Sequence, residues 1–422
     1  MSKSIELEWK EKGVEQACEG SIVSTRRYGD EASENMLIHG DNLHALSALL
    51  PKFTQTINCI YIDPPYNTGT TFEHYNDASE HGLWLSFMHQ RLKLLKQLLA
   101  ETGVICVQID DHEMAYLQLL MDEVFGRHNR INTICVQMSN MSGPKIQWAK
   151  QGKRFPKIKE YILMYAADKK KYRLRIPKRR KKQWDPEYNY IIPQWSKEDY
   201  LQYIQQDEHT SSQMKQFQLV SLNKFAKQNG IDPSDEDWKF SNAYRICATK
   251  PNRALLHSAK TMSFDTPLSY IQTSTGMQKL IRTDFNRKTK TARIELIFAQ
   301  STMETFFGDI WDDIATTGGI GTEGGISFPN GKKPERLLHR ILSACTAEHD
   351  WVLDAFLGSG TTVAVAHKMN RRWIGIEKGE HIYTHCIPRF DLVISGLQDG
   401  ISKEVGWKGG GGFQLYSVQN SH

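Results

Sequence analysis

Two short stretches of the chain hold residue types that chemistry can use. The first is Asp63-Pro64-Pro65-Tyr66, which closes the apolar run "INCIYI". That run reads as a buried strand, and proline directly after it ends the sheet ladder and stiffens the exit. A carboxylate and an aromatic ring are therefore held at a strand end. The second stretch is Asp354-Ala355-Phe356-Leu357-Gly358-Ser359-Gly360-Thr361-Thr362, a glycine turn between a strand pattern and a helix pattern. Glycines let the backbone approach a ligand, and the start of the following helix offers unpaired N–H groups. Glu377 ends the next strand, 17 residues beyond Gly360, where an acid commonly accepts hydrogen bonds from ribose hydroxyls. The pattern suits an adenosine-bearing cofactor. No Gly-Lys-Ser/Thr follows the glycines, so it is not a phosphate P-loop, and the full G-x-G-x-x-G of nicotinamide sites is missing. Asp41 is a third point, either an acceptor for an adenine amino group or a plain N-cap for the helix behind it.

If both stretches belong to one parallel sheet, both lie at the carboxyl ends of strands, where such sheets bind ligands. An adenine amino group is then a substrate that fits. Its nitrogen lone pair is delocalised into the ring and is a poor nucleophile. The Asp63 carboxylate and the Pro64 carbonyl can each accept one N–H and favour a localised lone pair, and the prolines fix these acceptors in advance. Tyr66 offers a flat face on which an extruded base can stack.

The elements that must position these groups follow from hydrophobic period. Strand patterns at "NMLIHGD", "TINCIYI", "GVICVQID", "INTICVQM" and "KEYILMYAA" alternate with helix patterns at "NLHALSALLPKF", "GLWLSFMHQRLKLLKQLLA" and "EMAYLQLLMDEVFG". The alternation resumes with "PERLLHRILSACT", "DWVLD", "VAVAHKMN" and "RRWIGIE". This implies an α/β fold with a mostly parallel sheet covered by helices on both faces, interrupted by an insert. We expect an N-terminal arm at residues 1–30, one part of the α/β domain at 31–168, a mixed basic domain at 169–300 and the other α/β part at 301–422. The glycine-rich segment 316–335 reads as a mobile or ligand-gripping loop.

Net charge is only +5, but residues 1–140, 141–300 and 301–422 carry about −8, +16 and −3. The densest run is "KKKYRLRIPKRRKK", comprising Lys169, Lys170, Lys171, Arg173, Arg175, Lys178, Arg179, Arg180, Lys181 and Lys182. With Tyr172, Trp184, Tyr188 and Tyr190 interleaved, it reads as a surface for a polyanion, DNA or RNA by default. The 7 cysteines include no C-x-x-C pair, so Cys59, Cys106 and Cys135 read as reduced core thiols and no metal site is expected. No stretch is apolar enough to span a membrane and the first residues do not read as a secretory signal, so a cytoplasmic protein is expected.

"DPPY" followed, beyond the basic region, by "FLGSGTT" resembles the signature pair of DNA amino-methyltransferases, in the order of their circularly permuted beta group. "SFMHQRLKLLKQLL", "GVICVQIDDHEMAYLQLLMDEVFG", "GKKPERLL", "FLGSGTTVAVAHKMNRRWIGIEKGEHI" and "GWKGGGGF" are similar to the modification subunits of type III restriction–modification systems. The resemblance covers roughly residues 30–170 and 300–415; the central region carries none. It implies a Rossmann-like S-adenosylmethionine-dependent methyltransferase fold, circularly permuted, with an inserted target-recognition domain. It further implies methylation of adenine N6 in double-stranded DNA. Asp63, Pro64, Pro65 and Tyr66 match the catalytic motif. Asp354, Phe356, Gly358 and Gly360, with Thr361 and Thr362 behind them, match the cofactor turn, and Glu377 matches the ribose acid. Lys333 and Pro334 match a lysine-proline segment beside the methionine part of the cofactor. Type III modification subunits are usually longer, so the chain reads as a shorter relative. A homodimer is expected, and a helicase–nuclease restriction subunit is the partner such a system would supply. Three alternatives stay open: cytosine N4 methylation, methylation of RNA or a protein glutamine, and a catalytically silent DNA-recognition subunit.

Overall fold

A computed structural model of the chain describes residues 6–10, 12–13, 20–68, 70–71, 76–77, 80–140, 149–152, 155–205, 211–314, 320–328 and 331–420. They fall into two compact units, one formed by residues 1–177 with 307–422, the other by residues 178–306.

The first unit is built on a ten-stranded sheet. Its strands, in chain order, are β1 (Gly20–Gly29), β2 (Met36–His39), β3 (Ile57–Ile62), β4 (Leu99–Ile109), β5 (Arg130–Gln137), β6 (Lys159–Ala166), β7 (Ile310–Trp311), β8 (Trp351–Asp354), β9 (Arg372–Glu377) and β10 (Gly412–Asn420). Across the sheet they run β1-β10-β2-β9-β8-β3-β4-β6-β5-β7. The stretch from β10 to β4 is parallel. β6 is antiparallel to both its neighbours, and β1 is antiparallel to β10 at the edge. The segment expected to be a free N-terminal arm is thus, from Gly20 on, a strand of the sheet.

The helices are α1 (Asn42–Phe53), α2 (His81–Leu98), α3 (Met114–Met121), α4 (Glu335–Cys345), α5 (Thr361–Lys368) and α6 (Ile387–Ile394). Each strand turns alternate side chains to opposite faces. One face buries Ile60, Ile62, Ile105 and Val107 under Leu46, Leu49, Met88, Leu92 and Leu117 of α1, α2 and α3. The other buries Cys59, Tyr61, Val104 and Val352 under Leu338, Ile341, Val365 and Phe390 of α4, α5 and α6.

From β3 the chain leaves through α2 to β4; from β8 it leaves the other way, through α5 to β9. β3 and β8 are neighbours, with Val352 opposite Cys59 and Leu353 opposite Ile60. Diverging connections open a crevice at the carboxyl ends of such a strand pair.

A buried ion cluster secures one wall of it. Glu335, at the start of α4, has no exposed surface and pairs with Lys368 Nζ at 2.7 Å and Arg389 at 2.8 Å. Arg389 also donates to the Ser359 carbonyl at 3.2 Å and the Thr361 hydroxyl at 2.8 Å. The glycine turn is thereby tied to α4 and α6. Gly360 opens α5 at φ +81°, and a side chain there would press on the Phe390 ring at 3.0 Å. Burial alone would raise the Glu335 carboxyl, but Arg389 and Lys368 hold it below the usual range.

The second unit has its own six-stranded antiparallel sheet. The order is Val220–Ser221, Tyr190–Ile191, Ile246–Pro251, Arg293–Phe298, Gln278–Arg282, Leu268–Gln272. Short helices such as Arg253–Thr261 and Lys197–Gln205 flank it in the chain. Its limits differ from the expected 169–300. Residues 169–177 stay with the first unit because Tyr172 packs on Cys345 and the Arg175 N–H bonds the Ala344 carbonyl. Glu304–Phe306 joins the second unit by pairing with Lys178–Arg180.

Removing Glu335 leaves two buried cations unpaired, a loss of about 3–5 kcal/mol. Glu335→Ala is expected to lower the urea midpoint accordingly, and an unchanged midpoint would show the cluster to be dispensable.

Candidate active site

The crevice between β3 and β8 is a cavity of about 490 Å³. Asp41, Asp63, Pro64, Pro65, Tyr66, Lys333, Asp354, Phe356, Gly358, Thr361, Thr362 and Glu377 all line it. Gly360 and Pro334 are not among the lining residues. Gly360 acts through the turn, and Pro334 is the N-cap position of α4.

The turn after β3 is locked locally. Asn67 sits in the left-handed region at φ +57°, a conformation asparagine tolerates. The indole of Trp84, buried on α2, donates to the Pro65 carbonyl at 2.8 Å. Both Asp63 oxygens meet protein donors: Tyr66 Oη reaches Oδ1 at 2.6 Å and Lys333 Nζ reaches Oδ2 at 2.6 Å. Burial pushes the Asp63 carboxyl up; Lys333 opposes this and Glu160 adds to it. Glu160 Oε2 accepts from Gln108 Nε2 at 2.6 Å, and Gln108 in turn accepts from the Tyr61 hydroxyl; Tyr66 Oη, whose one proton goes to Asp63, lies 2.9 Å from the same Glu160 oxygen.

On the β8 side, the Asp354 carboxylate accepts the Phe356 N–H at 2.9 Å. Glu377 accepts the N–H groups of Gly358 and Gly379, both at 2.8 Å. Phe356 meets Phe87 edge-on at 5.9 Å, and Arg91 lies 3.6 Å over the Phe87 ring. Asp41 does cap α1, accepting from Leu43 N at 2.9 Å, and it also pairs with Arg91 at 3.0 Å and Lys378 at 3.1 Å. Burial would raise Asp41; the Leu43 N–H, Arg91 and Lys378 hold it below the usual range.

Among the described residues, six carboxylates line the cavity (Asp41, Asp63, Asp110, Glu160, Asp354 and Glu377) against three Lys or Arg side chains, Arg91, Lys333 and Lys378. Asp354 registers the excess. Its carboxyl is pushed up to about 7, first by burial, with Asp63 and Glu377 adding and Thr362 and the Phe356 N–H opposing. A cavity with surplus negative charge favours a cationic ligand and disfavours a phosphate-bearing one.

The basic run divides between the units, with Lys169, Lys170, Lys171, Arg173 and Arg175 in the first and Lys178, Arg179, Arg180, Lys181 and Lys182 in the second. Among the described residues, Lys171 pairs with Glu101 at 2.6 Å, Lys178 with Glu304 at 3.8 Å and Arg180 with Asp237 at 2.7 Å. The interleaved aromatics are not a stacking surface as a set. Tyr172, Trp184 and Tyr188 are buried core residues, because large rings beside a charged stretch anchor it to its own unit. Cys59 and Cys106 are buried, but Cys135 is only half-buried. Cys59, Cys106 and Cys345 come within 4.8 Å of one another, a convergence that no spacing in the chain signals.

In this α/β fold a strand-end carboxylate and a glycine turn face one acid-rich cavity. A family model described as DNA methylase matches residues 57–387. The chain belongs to this N6/N4 DNA methylase family. It is 35% identical over 93% of its length to a probable type III restriction-modification enzyme HindVI Mod subunit of Haemophilus influenzae, covering 55% of that protein. It is 28% identical over 83% of its length to the EcoPI Mod subunit of Escherichia phage P1, covering 58% of it. Type II methyltransferase M.EcaI of Enterobacter cloacae is 26% identical, with 88% of this chain and 72% of that protein aligned. The chain thus spans little more than half the length of the two Mod subunits. Among the described residues no helix is long and apolar enough to cross a membrane.

The raised Asp354 sets a stability prediction. Its folded pKa of about 7 exceeds the unfolded value of about 3.9. Its contribution is therefore complete below the unfolded value and lost as pH rises through the folded one. Asp354→Asn should flatten this dependence, so the variant gains on the wild type between about pH 4 and about pH 7 in urea titrations. A constant gap between the two would overturn the assignment.

Proposed function

We propose that the chain is a site-specific DNA methyltransferase that transfers a methyl group from S-adenosylmethionine to the N6 amino group of an adenine flipped out of double-stranded DNA. The observation that carries the reading is the opening of Asp63 and the Gly358–Gly360 turn onto one cavity from neighbouring parallel strands. The residues fit the cofactor. The cavity falls within the range of about 300–1,000 Å³ common for cofactor sites, and its surplus carboxylates suit a sulfonium cation. Asp354, Phe356, Gly358, Thr361, Thr362 and Glu377 would hold it, with Glu377 toward the ribose, Asp41 toward the adenine amino group, and Lys333 and Pro334 beside the methionine part. When bound, the cofactor would supply an electrophilic methyl group, and the electron pair of the sulfur–carbon bond that breaks would leave with the sulfur as a neutral thioether, a chemistry that calls for no metal.

The chain's own residues prepare the nucleophile. Tyr66 stacks the extruded base, and Asp63 and the Pro64 carbonyl accept the two amino hydrogens. As the nitrogen forms its new bond to carbon, positive charge grows on it and Asp63 stabilises that charge. The surplus proton passes to Asp63 or to solvent. Residues 178–306 act as the target-recognition domain, and the basic run from Lys169 to Lys182 contacts phosphates. The two relatives described above that carry the name of type III Mod subunits support a restriction subunit as partner; a homodimer of this chain is the further assembly we propose. The expected compartment is the cytoplasm.

Expression in a methylation-free host, followed by sequencing of modified bases, tests the reading. N6-methyladenine should recur at one sequence motif, and Asp63→Ala should lower transfer by about 10²–10³-fold or more while DNA binding stays nearly unchanged. N4-methylcytosine would reassign the target, and no modified base would overturn the activity. A second measurement concerns the basic run. Neutralising Lys178, Arg179, Arg180, Lys181 and Lys182 together should lower the slope of log affinity against log salt by about 0.9 for each phosphate that is no longer neutralised. An unchanged slope would place the DNA elsewhere.

A further inference from the structure

Asp63 is engaged before any base arrives. Tyr66 Oη donates to its Oδ1 at 2.6 Å and Lys333 Nζ to its Oδ2 at 2.6 Å. The ammonium is the harder obstacle. Beside Asp63 it neutralises the negative charge that should meet the positive charge growing on the amino nitrogen, and it opposes a second cation in the cavity.

The same two donors share a second acceptor. Tyr66 Oη is 2.9 Å from Glu160 Oε2, and Lys333 Nζ is 3.7 Å from the same oxygen. A shift of about 1 Å brings Lys333 to ordinary ion-pair distance from Glu160, within reach of a flexible four-carbon stem. Glu160 is itself held in place by Gln108, which Tyr61 orients from the adjoining strand β3. It lines the cavity with Asp63 and is only slightly exposed, with 21% of its side-chain surface accessible.

We infer that Glu160 is a positioning residue that takes over Lys333 and Tyr66 when the target amino group claims Asp63. The inference rests on the amino-methyltransferase reading above. Glu160 neither touches the methyl group nor accepts the substrate proton. It keeps the Lys333 charge paired while that charge moves off Asp63, and it keeps the Tyr66 ring fixed by its hydroxyl while the face of the ring receives the base. Without a carboxylate at position 160, Lys333 stays on Asp63 and competes with the substrate.

The test is steady-state methylation of duplex DNA by wild type, Glu160→Gln, Lys333→Met and the double variant, at saturating S-adenosylmethionine. Folding is checked by thermal melting and cofactor binding by calorimetry with S-adenosylhomocysteine. Glu160→Gln should lose about 10²-fold in kcat, the scale of one catalytic electrostatic contact, with KM for DNA and cofactor affinity within about threefold. Removing the ammonium as well should return part of the loss, making the double variant about tenfold faster than Glu160→Gln alone. A merely structural carboxylate would not give this reversal, because a second substitution would add damage. If Glu160→Gln keeps the wild-type kcat, or if the double variant is no faster than the single one, the inference is overturned while the methyltransferase reading stands. If wild type itself transfers no methyl group to adenine, both fall.

Discussion

The pairing of Ile57–Ile62 with Trp351–Asp354 is the constraint on which the rest depends. Val352 lies opposite Cys59 and Leu353 opposite Ile60, so segments nearly 300 residues apart share hydrogen bonds in the middle of the sheet. Each strand ends in a motif, and a one-residue slip would turn every side chain of one strand to the opposite face. Both strands are buried from both sides by different sets of helices. Register is therefore fixed by apolar burial, and it delivers Asp63 and Asp354 to the same crevice.

Holding so many carboxylates around one cavity costs electrostatic free energy that the fold manages unevenly. Asp41 is matched by Arg91 and Lys378, Asp63 by Lys333, and Glu377 by backbone N–H groups. Asp354 has no cationic partner at hydrogen-bond distance among the described residues, and its carboxyl is pushed up to about 7. Behind the turn, Glu335, Lys368 and Arg389 form a separate, mutually paired cluster in which one carboxylate serves two cations, and it fixes the backbone of Ser359 and the hydroxyl of Thr361. One charge set is satisfied and rigidifies the glycine turn; the other is left unbalanced toward the cavity. The contrast leaves surplus negative charge on a cavity whose glycine turn is held rigid.

The second unit stands on different physics. Its antiparallel sheet carries apolar clusters of its own around Trp184, Trp195 and Leu256. The basic character of the region resides in long side chains, several tethered to neighbouring acids. Such tethering lowers the cost of ordering them without removing their charge from solvent. The aromatic residues that punctuate the basic run serve packing, since an exposed ring loses the burial that stabilises it.

The sequence by itself determined the elements that flank the crevice and the two motifs, but not the edge strands Gly20–Gly29, Ile310–Trp311 and Gly412–Asn420. The runs "INCIYI" and "WVLD", the helix pattern of residues 42–53, the prolines after Asp63 and the glycines at 358 and 360 are local signals, each set by hydrophobic period or backbone permissiveness. Tertiary structure alone decided which other residues join them. Glu160 stands at the beginning of β6, where a strand start in a parallel sheet would lie far from the crevice. Because β6 runs antiparallel to β4, with Tyr161 opposite Ile109, its first residues lie beside the last residues of β4, and Glu160 enters the cavity. Lys333 meets Asp63 across 270 positions for the same kind of reason. Strand direction and long-range pairing depend on how buried faces match across the whole sheet, and no window along the chain contains that match.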